Sequence, residues 1–171
     1  VTIKGTQTVS AASTVAMAPG GTNRCFYVNH ASARLIGLVI TNGYALGDDN
    51  AGCGGGVFVA VSPTGSAWPD PVIESCRIVN CRASDSGGGI AFVDRGALWG
   101  TFVRDTMVSG NIAATNGGGI ATSNFLYLGN CTIDNNTATE GKGGGLFVDA
   151  EGAIVAPAGE GQNDHRMYDY M

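Results

Sequence analysis

The chain carries little charge and no long apolar run. Only 13% of its 171 residues are charged, nine basic and fourteen acidic, for a net charge of −5, against about 25% in an average globular domain. The basic residues are scattered, so there is no stripe to meet a phosphate backbone and nucleic acid is not an expected partner. No apolar stretch reaches the ~20 residues that cross a bilayer as a helix, so no membrane span is expected. Histidine is confined to His30 and His165, and no Cys-x-x-Cys pattern occurs, which argues against structural zinc. No sustained 3.6-residue periodicity exists, which removes the helical classes.

Glycine is what the chain has in quantity, 28 residues. Four triplets stand out, each followed by an aliphatic residue: Gly54-Gly55-Gly56-Val57, Gly87-Gly88-Gly89-Ile90, Gly117-Gly118-Gly119-Ile120 and Gly143-Gly144-Gly145-Leu146. Their first glycines are 33, 30 and 26 residues apart (87−54, 117−87, 143−117). A period of 20–50 residues marks a repeat architecture. Upstream of each triplet lies an apolar segment: 35–42, 72–80, 102–109 and 128–135. Overlaying them puts Ile40, Ile78, Met107 and Ile133 in one column. Leu38, Cys76, Asp105 and Cys131 fall in a second column, and Asn42, Asn80, Ser109 and Asn135 in a third. Period 2 is the mark of a strand with one buried face, so Arg77, Thr106, Thr132 and Asp134 are expected to point to water. A second short strand follows each triplet, at Val57-Phe58-Val59 and its equivalents.

Short strands repeating without helices are compatible with hairpin sheets, propellers or solenoids. A hairpin sheet needs two-residue turns, and a propeller blade needs about 40 residues. Intervals of 26 to 33 residues fit neither. The expected fold is therefore all-β, a single-stranded right-handed parallel β-helix (solenoid) of about five coils over residues 1–155, with a non-repeat tail at 156–171. Asn42, Asn80 and Asn135 are the expected corners, since Asn tolerates left-handed backbone. Gly55, Gly88, Gly118 and Gly144 are expected there for positive φ and close coil-to-coil approach.

These triplets and asparagines resemble the right-handed parallel β-helix repeats of bacterial secreted and surface proteins, especially the polymorphic outer-membrane-protein type with its Gly-Gly-x-Ile motif beside an Asn corner. The residues that carry the likeness are Val57, Ile90, Ile120 and Leu146 after the triplets, with Asn42, Asn80 and Asn135. The resemblance covers roughly residues 1–155 and speaks to fold more than to function. The absence of a signal peptide or initiating Met suggests a mature product or a piece of a longer protein. Composition and resemblance together imply a secreted or cell-surface location.

Among five cysteines, Cys76 and Cys131 share a column two coils apart, about 10 Å, too far for a disulfide, and read as buried thiols. Pairing among Cys25, Cys53 and Cys81 stays open, with Cys53–Cys81 conceivable. β-Helices also host glycosidases and lyases, which need paired carboxylates. The weak catalytic candidates are Asp94, Asp149 and Glu151. Trp68 and Trp99 lie on loops after successive triplet strands and are candidates for stacking on sugar rings. No cofactor is implied; Asp48 and Asp49 are the candidate ligands for a calcium ion, which wants six to eight oxygens. The expected function is a non-enzymatic structural or adhesive surface module that self-associates or meets cell-surface glycans. The alternative is a carbohydrate-active enzyme fragment or glycan-binding module using the loop carboxylates and tryptophans.

Overall fold

The computed structural model describes residues 2–4, 14–17, 23–30, 32–61, 71–93, 101–123, 125–149 and 153–155. It is all-β, with one short 3-10 turn at Asp49–Gly52. The first repeat contributes β1 (Thr2–Lys4), β2 (Thr14–Met17) and β3 (Phe26–Val28). The second contributes β4 (Arg34–Ile36), β5 (Leu38–Thr41), β6 (Tyr44–Ala45) and β7 (Val57–Val59). The third runs β8 (Val72–Glu74), β9 (Arg77–Val79), β10 (Arg82–Ala83) and β11 (Ile90–Phe92). The fourth runs β12 (Thr101–Arg104), β13 (Met107–Ser109), β14 (Ile112–Ala113) and β15 (Ile120–Thr122). The fifth runs β16 (Phe125–Gly129), β17 (Thr132–Asp134), β18 (Thr137–Ala138) and β19 (Leu146–Val148), followed by β20 (Ala153–Val155).

Equivalent strands stack into four parallel sheets, ordered β1-β4-β8-β12-β16-β20, β2-β5-β9-β13-β17, β6-β10-β14-β18 and β3-β7-β11-β15-β19. Strands alike in sequence position thus become neighbours in space, an arrangement consistent with a parallel β-helix. No helix among the described residues is long and apolar enough to cross a membrane.

Three corners separate the sheets, each a stack of left-handed residues. Between the first and second sheets they are Gly37, Ser75, Asp105 and Asn130, with φ of 66°, 54°, 50° and 48°. Between the second and third they are Asn42, Asn80, Gly110 and Asn135, with φ of 57°, 55°, 66° and 52°. Between the third and fourth they are Gly54, Gly87, Gly117 and Gly143, with φ of 66°, 68°, 63° and 68°. The left-handed glycine is therefore the first of each triplet. Gly55, Gly88, Gly118 and Gly144 stand one residue past it, where space rather than φ is limiting. A methyl at Gly55 would fall 2.0 Å from Arg82 O, and at Gly118 2.4 Å from Thr137 O.

The register corrects the expected columns in the fourth repeat by one residue. Ile78 pairs with Val108, not Met107, and Val108 pairs with Ile133. The inward position beside Cys76 is accordingly Thr106, and the corner beside Asn80 is Gly110 rather than Ser109. Thr106 is buried, not turned to water, because its Oγ1 accepts the Cys76 N–H at 3.2 Å and donates to Arg104 O at 2.8 Å. Asp105 turns the corner instead. Segments such as 72–80 are also two strands, not one, since Ser75 bends the chain between β8 and β9.

The main core is an aliphatic file closed by three walls: Leu35, Ile73 and Val103 from the first sheet, Ile40, Ile78 and Val108 from the second, and Val57, Ile90 and Ile120 from the fourth. All nine are at most 3% exposed. Inside it, one polar ladder runs along the stack. Asn111, fully buried, accepts the Cys81 N–H on Oδ1 at 2.9 Å and donates from Nδ2 to Ile78 O at 2.9 Å and to Asn136 Oδ1 at 3.0 Å. Asn136 Oδ1 also accepts the Asn111 N–H at 3.0 Å.

The third glycine of each triplet faces this ladder. A Cβ on Gly56 would lie 3.2 Å from Cys81 Sγ, on Gly89 3.0 Å from Asn111 Nδ2, and on Gly119 2.8 Å from Asn136 Nδ2. Glycine in one repeat makes room for the ladder side chain of the next. In the first repeat the sizes are exchanged: Cys25 holds the glycine position and faces Gly43.

Candidate functional site

The outer face of the fourth sheet carries the feature with most shape. Cross-strand register lines up Tyr27, Phe58, Ala91, Ala121 and Phe147. Tyr27 stacks on Phe58 with ring centroids 5.6 Å apart. The Arg24 guanidinium lies 4.5 Å over the Phe58 ring and donates to Asn50 O and Ala51 O at 2.8 and 2.7 Å. Phe58 is consequently only 1% exposed. The two alanines then drop the surface by most of an aromatic ring, until Phe147 rises again about 14 Å further on, three strand spacings from Phe58.

The result is a trough of about 160 Å³, floored by Ala91 and Ala121 and bounded by Phe147. Ser123 and Asp149 border one side and Cys53 and Ser86 the other. Enclosed small-molecule sites run to roughly 300–1,000 Å³. This one suits a single ring or a segment of an extended chain.

On the Cys53 and Ser86 side the polar groups are held in local contacts. Ser86 Oγ lies 2.7 Å from Thr115 Oγ1 and donates to Asp85 Oδ1 at 3.1 Å, while Thr115 donates to the same oxygen at 2.5 Å. Cys53 packs with Phe58, Ala60 and Ala91, and burial pushes its thiol up to about 11. A thiol at that value is protonated at neutral pH and a poor nucleophile. His30 lies outside the trough, where its Nδ1 accepts the Ser32 N–H at 3.1 Å.

A second outer-face ladder lies on the first sheet. Phe102 stacks on Tyr127 at 4.4 Å and 12°. Beside them Glu74 bridges Arg34 at 3.4 Å and Arg104 at 2.9 Å.

Asp149 is on the trough, in the column of Val93 and Ser123, because its N–H continues the ladder to Thr122 O at 2.8 Å. Asp94, Glu151, Trp68, Trp99 and the segment 156–171 lie outside the described residues. Asp48 and Asp49 are exposed at the 3-10 turn. No cluster of three His, Cys, Asp or Glu forms among the described residues, and the carbonyls of Asn50 and Ala51 beside them already receive a cation, Arg24. None of the five cysteines is in a disulfide. Cys53 and Cys81 belong to different packing clusters, the outer-face one and the main core, so the conceivable Cys53–Cys81 pair has the wall between its members.

Neither a family model, nor a curated protein, nor a solved structure matches this chain. The aromatic column was missed in the sequence, although a signal existed: the residue after each triplet's aliphatic reads Phe58, Ala91, Ala121 and Phe147, large, small, small, large.

Proposed function

We propose that the chain is a right-handed, single-stranded parallel β-helix of about five coils, of the type found in bacterial secreted and surface proteins. It serves there as a non-enzymatic structural and adhesive module. The observation that carries the reading is the outer wall of the fourth sheet, where a trough floored by Ala91 and Ala121 and bounded by Phe147 is bordered by Ser123 and Asp149. The Phe147 ring with a nearby hydroxyl and carboxylate suits the apolar face and hydroxyls of a sugar ring. The unactivated Cys53 and Ser86 favour binding over turnover. Stacked parallel sheets also suit end-to-end association, since a strand of a second copy can extend such a stack by the same pairing.

The test is retention on a panel of immobilised bacterial and host glycans, with Ala121→Arg filling the trough floor. Retention of the parent chain and at least a tenfold loss in the variant are expected. No retention on any glycan, or a variant that binds equally well, would overturn the glycan-adhesion reading.

A further inference from the structure

At one level of the core the first repeat departs from the rest. Cys25 stands where later repeats have the third glycine, and Gly43 faces it where later repeats have a side chain. A Cβ on Gly43 would lie 2.9 Å from Cys25 Sγ, so this sulfur occupies the place of the missing residue-43 side chain. Gly43 is the rung next to Cys81, since the Arg82 N–H donates to Gly43 O at 2.8 Å. Cys25 Sγ has in effect joined the Cys81–Asn111–Asn136 ladder from the opposite wall, on the rung next to Cys81.

Two contacts agree with that placement. Cys25 Sγ lies 3.5 Å from Thr41 O and Cys81 Sγ 3.9 Å from Ile40 O, adjacent carbonyls of β5. Hydrogen bonding to the Cys25 thiol, with burial, also raises the Cys81 thiol far above its ordinary value. The other sulfurs are placed elsewhere: Thr106 separates Cys76 from Cys131 in their column, and Cys53 sits on the outer face.

We infer that Cys25 and Cys81 are a redox pair that closes to an intramolecular disulfide when the protein meets a small-molecule disulfide. Cys25 is half-buried and Cys81 fully buried, so Cys25 reacts first. Its thiolate attacks one sulfur of RSSR, the S–S bond of RSSR breaks, and RS⁻ leaves with the proton that Cys25 gave up. Cys81 then attacks the Cys25 sulfur of the mixed disulfide as its own proton passes to the departing second RS⁻, so this buried thiol, protonated at neutral pH, reacts only because it is held on the rung beside that sulfur. Two electrons pass from the two cysteines to RSSR, yielding one Cys25–Cys81 bond and two RSH. The bond ties the first repeat to the third across 56 positions (81−25).

The experiment is incubation of the intact chain with oxidised glutathione, alkylation with iodoacetamide, and non-reducing peptide mapping by mass spectrometry. A linked peptide containing Cys25 and Cys81 is expected, with the other three cysteines alkylated. The oxidised chain is expected to melt about 10 °C higher than the reduced one, as chain-entropy loss over a loop of that length implies. The Cys25→Ser variant is expected to show neither the link nor the shift. Five alkylated thiols after oxidation, a stable glutathione adduct on Cys25, or a link to any other cysteine overturns the proposal. All three are read on the parent chain, independently of how the variant folds.

Discussion

Replacing Asn111 by alanine tests whether the internal polar ladder holds the stack together. The substitution leaves the buried Cys81 N–H without its acceptor and removes the donor to Ile78 O, both now at 2.9 Å. It also takes one of two donors from Asn136 Oδ1. An orphaned buried polar group costs about 1–3 kcal/mol, and a fully buried side chain leaves a cavity behind. A loss of about 3–4 kcal/mol is therefore expected, or a fall of about 1–3 M in the urea midpoint. Asn136→Ala is the internal control. It removes a comparable set of bonds, including Nδ2 to Val108 O at 2.8 Å, from a half-buried position. Water can replace those bonds, so about 1 kcal/mol is expected. Asn111→Asp keeps the acceptor for Cys81 but sets an oxygen against Ile78 O and Asn136 Oδ1, and should be at least as damaging as alanine at pH 8. The assay is urea unfolding followed by far-ultraviolet circular dichroism. Asn111→Ala within about 1 kcal/mol of the parent, or equal losses at the two asparagines, refutes the reasoning.

Two other outcomes follow from the same structure. Gly88→Ala should unfold the chain or cost more than about 3 kcal/mol, because its methyl would lie 2.4 Å from Gly118 O and 2.5 Å from Ile112 O, both backbone. Gly144→Ala in the fifth repeat meets one close atom, Asn136 O at 2.9 Å, and should cost about 1 kcal/mol; thermal melts of the two variants decide the gradient. The Cys53 thiol supplies a pH test, since its folded value of about 11 lies above the ordinary 9.0. The folded state then holds the proton more tightly, so stability is full below about pH 9 and falls between pH 9 and 11, by about 2–3 kcal/mol. Cys76 and Cys131 are shifted the same way by burial, so Cys53→Ala should reduce the slope without removing it. A flat urea midpoint across that interval contradicts the assignment.

The strands and their repeat were legible because glycine triplets and period-2 apolar residues report directly on corners and buried faces. The corner between the first and second sheets was not, because it is marked by Gly37, Ser75, Asp105 and Asn130, residues of no common type. A left-handed Ser carries no reliable sequence signal. Missing that corner merged two strands and let the fourth repeat slip, since Met107 and Val108 are both apolar and Thr106 hides a buried polar role. The ladder asparagines were overlooked for a related reason. Asn136 directly follows a corner Asn, and Asn111 sits after Gly110, so corner chemistry masked core chemistry. The trough depends on which residues share an outer column, which only the register reveals.

The match between each third glycine and the next repeat's ladder side chain sets where this chain can be cut and lengthened. A copy of residues 57–89 inserted after Gly89 would place a second Cys81 where Asn111 now stands, leaving the first Cys81 N–H without its amide acceptor. A copy of 90–119 inserted after Gly119 instead stacks asparagine on asparagine, as Asn111 already does on Asn136. The fourth repeat is thus the compatible unit for extension, and a tandem array built from it would continue the amide ladder without a seam.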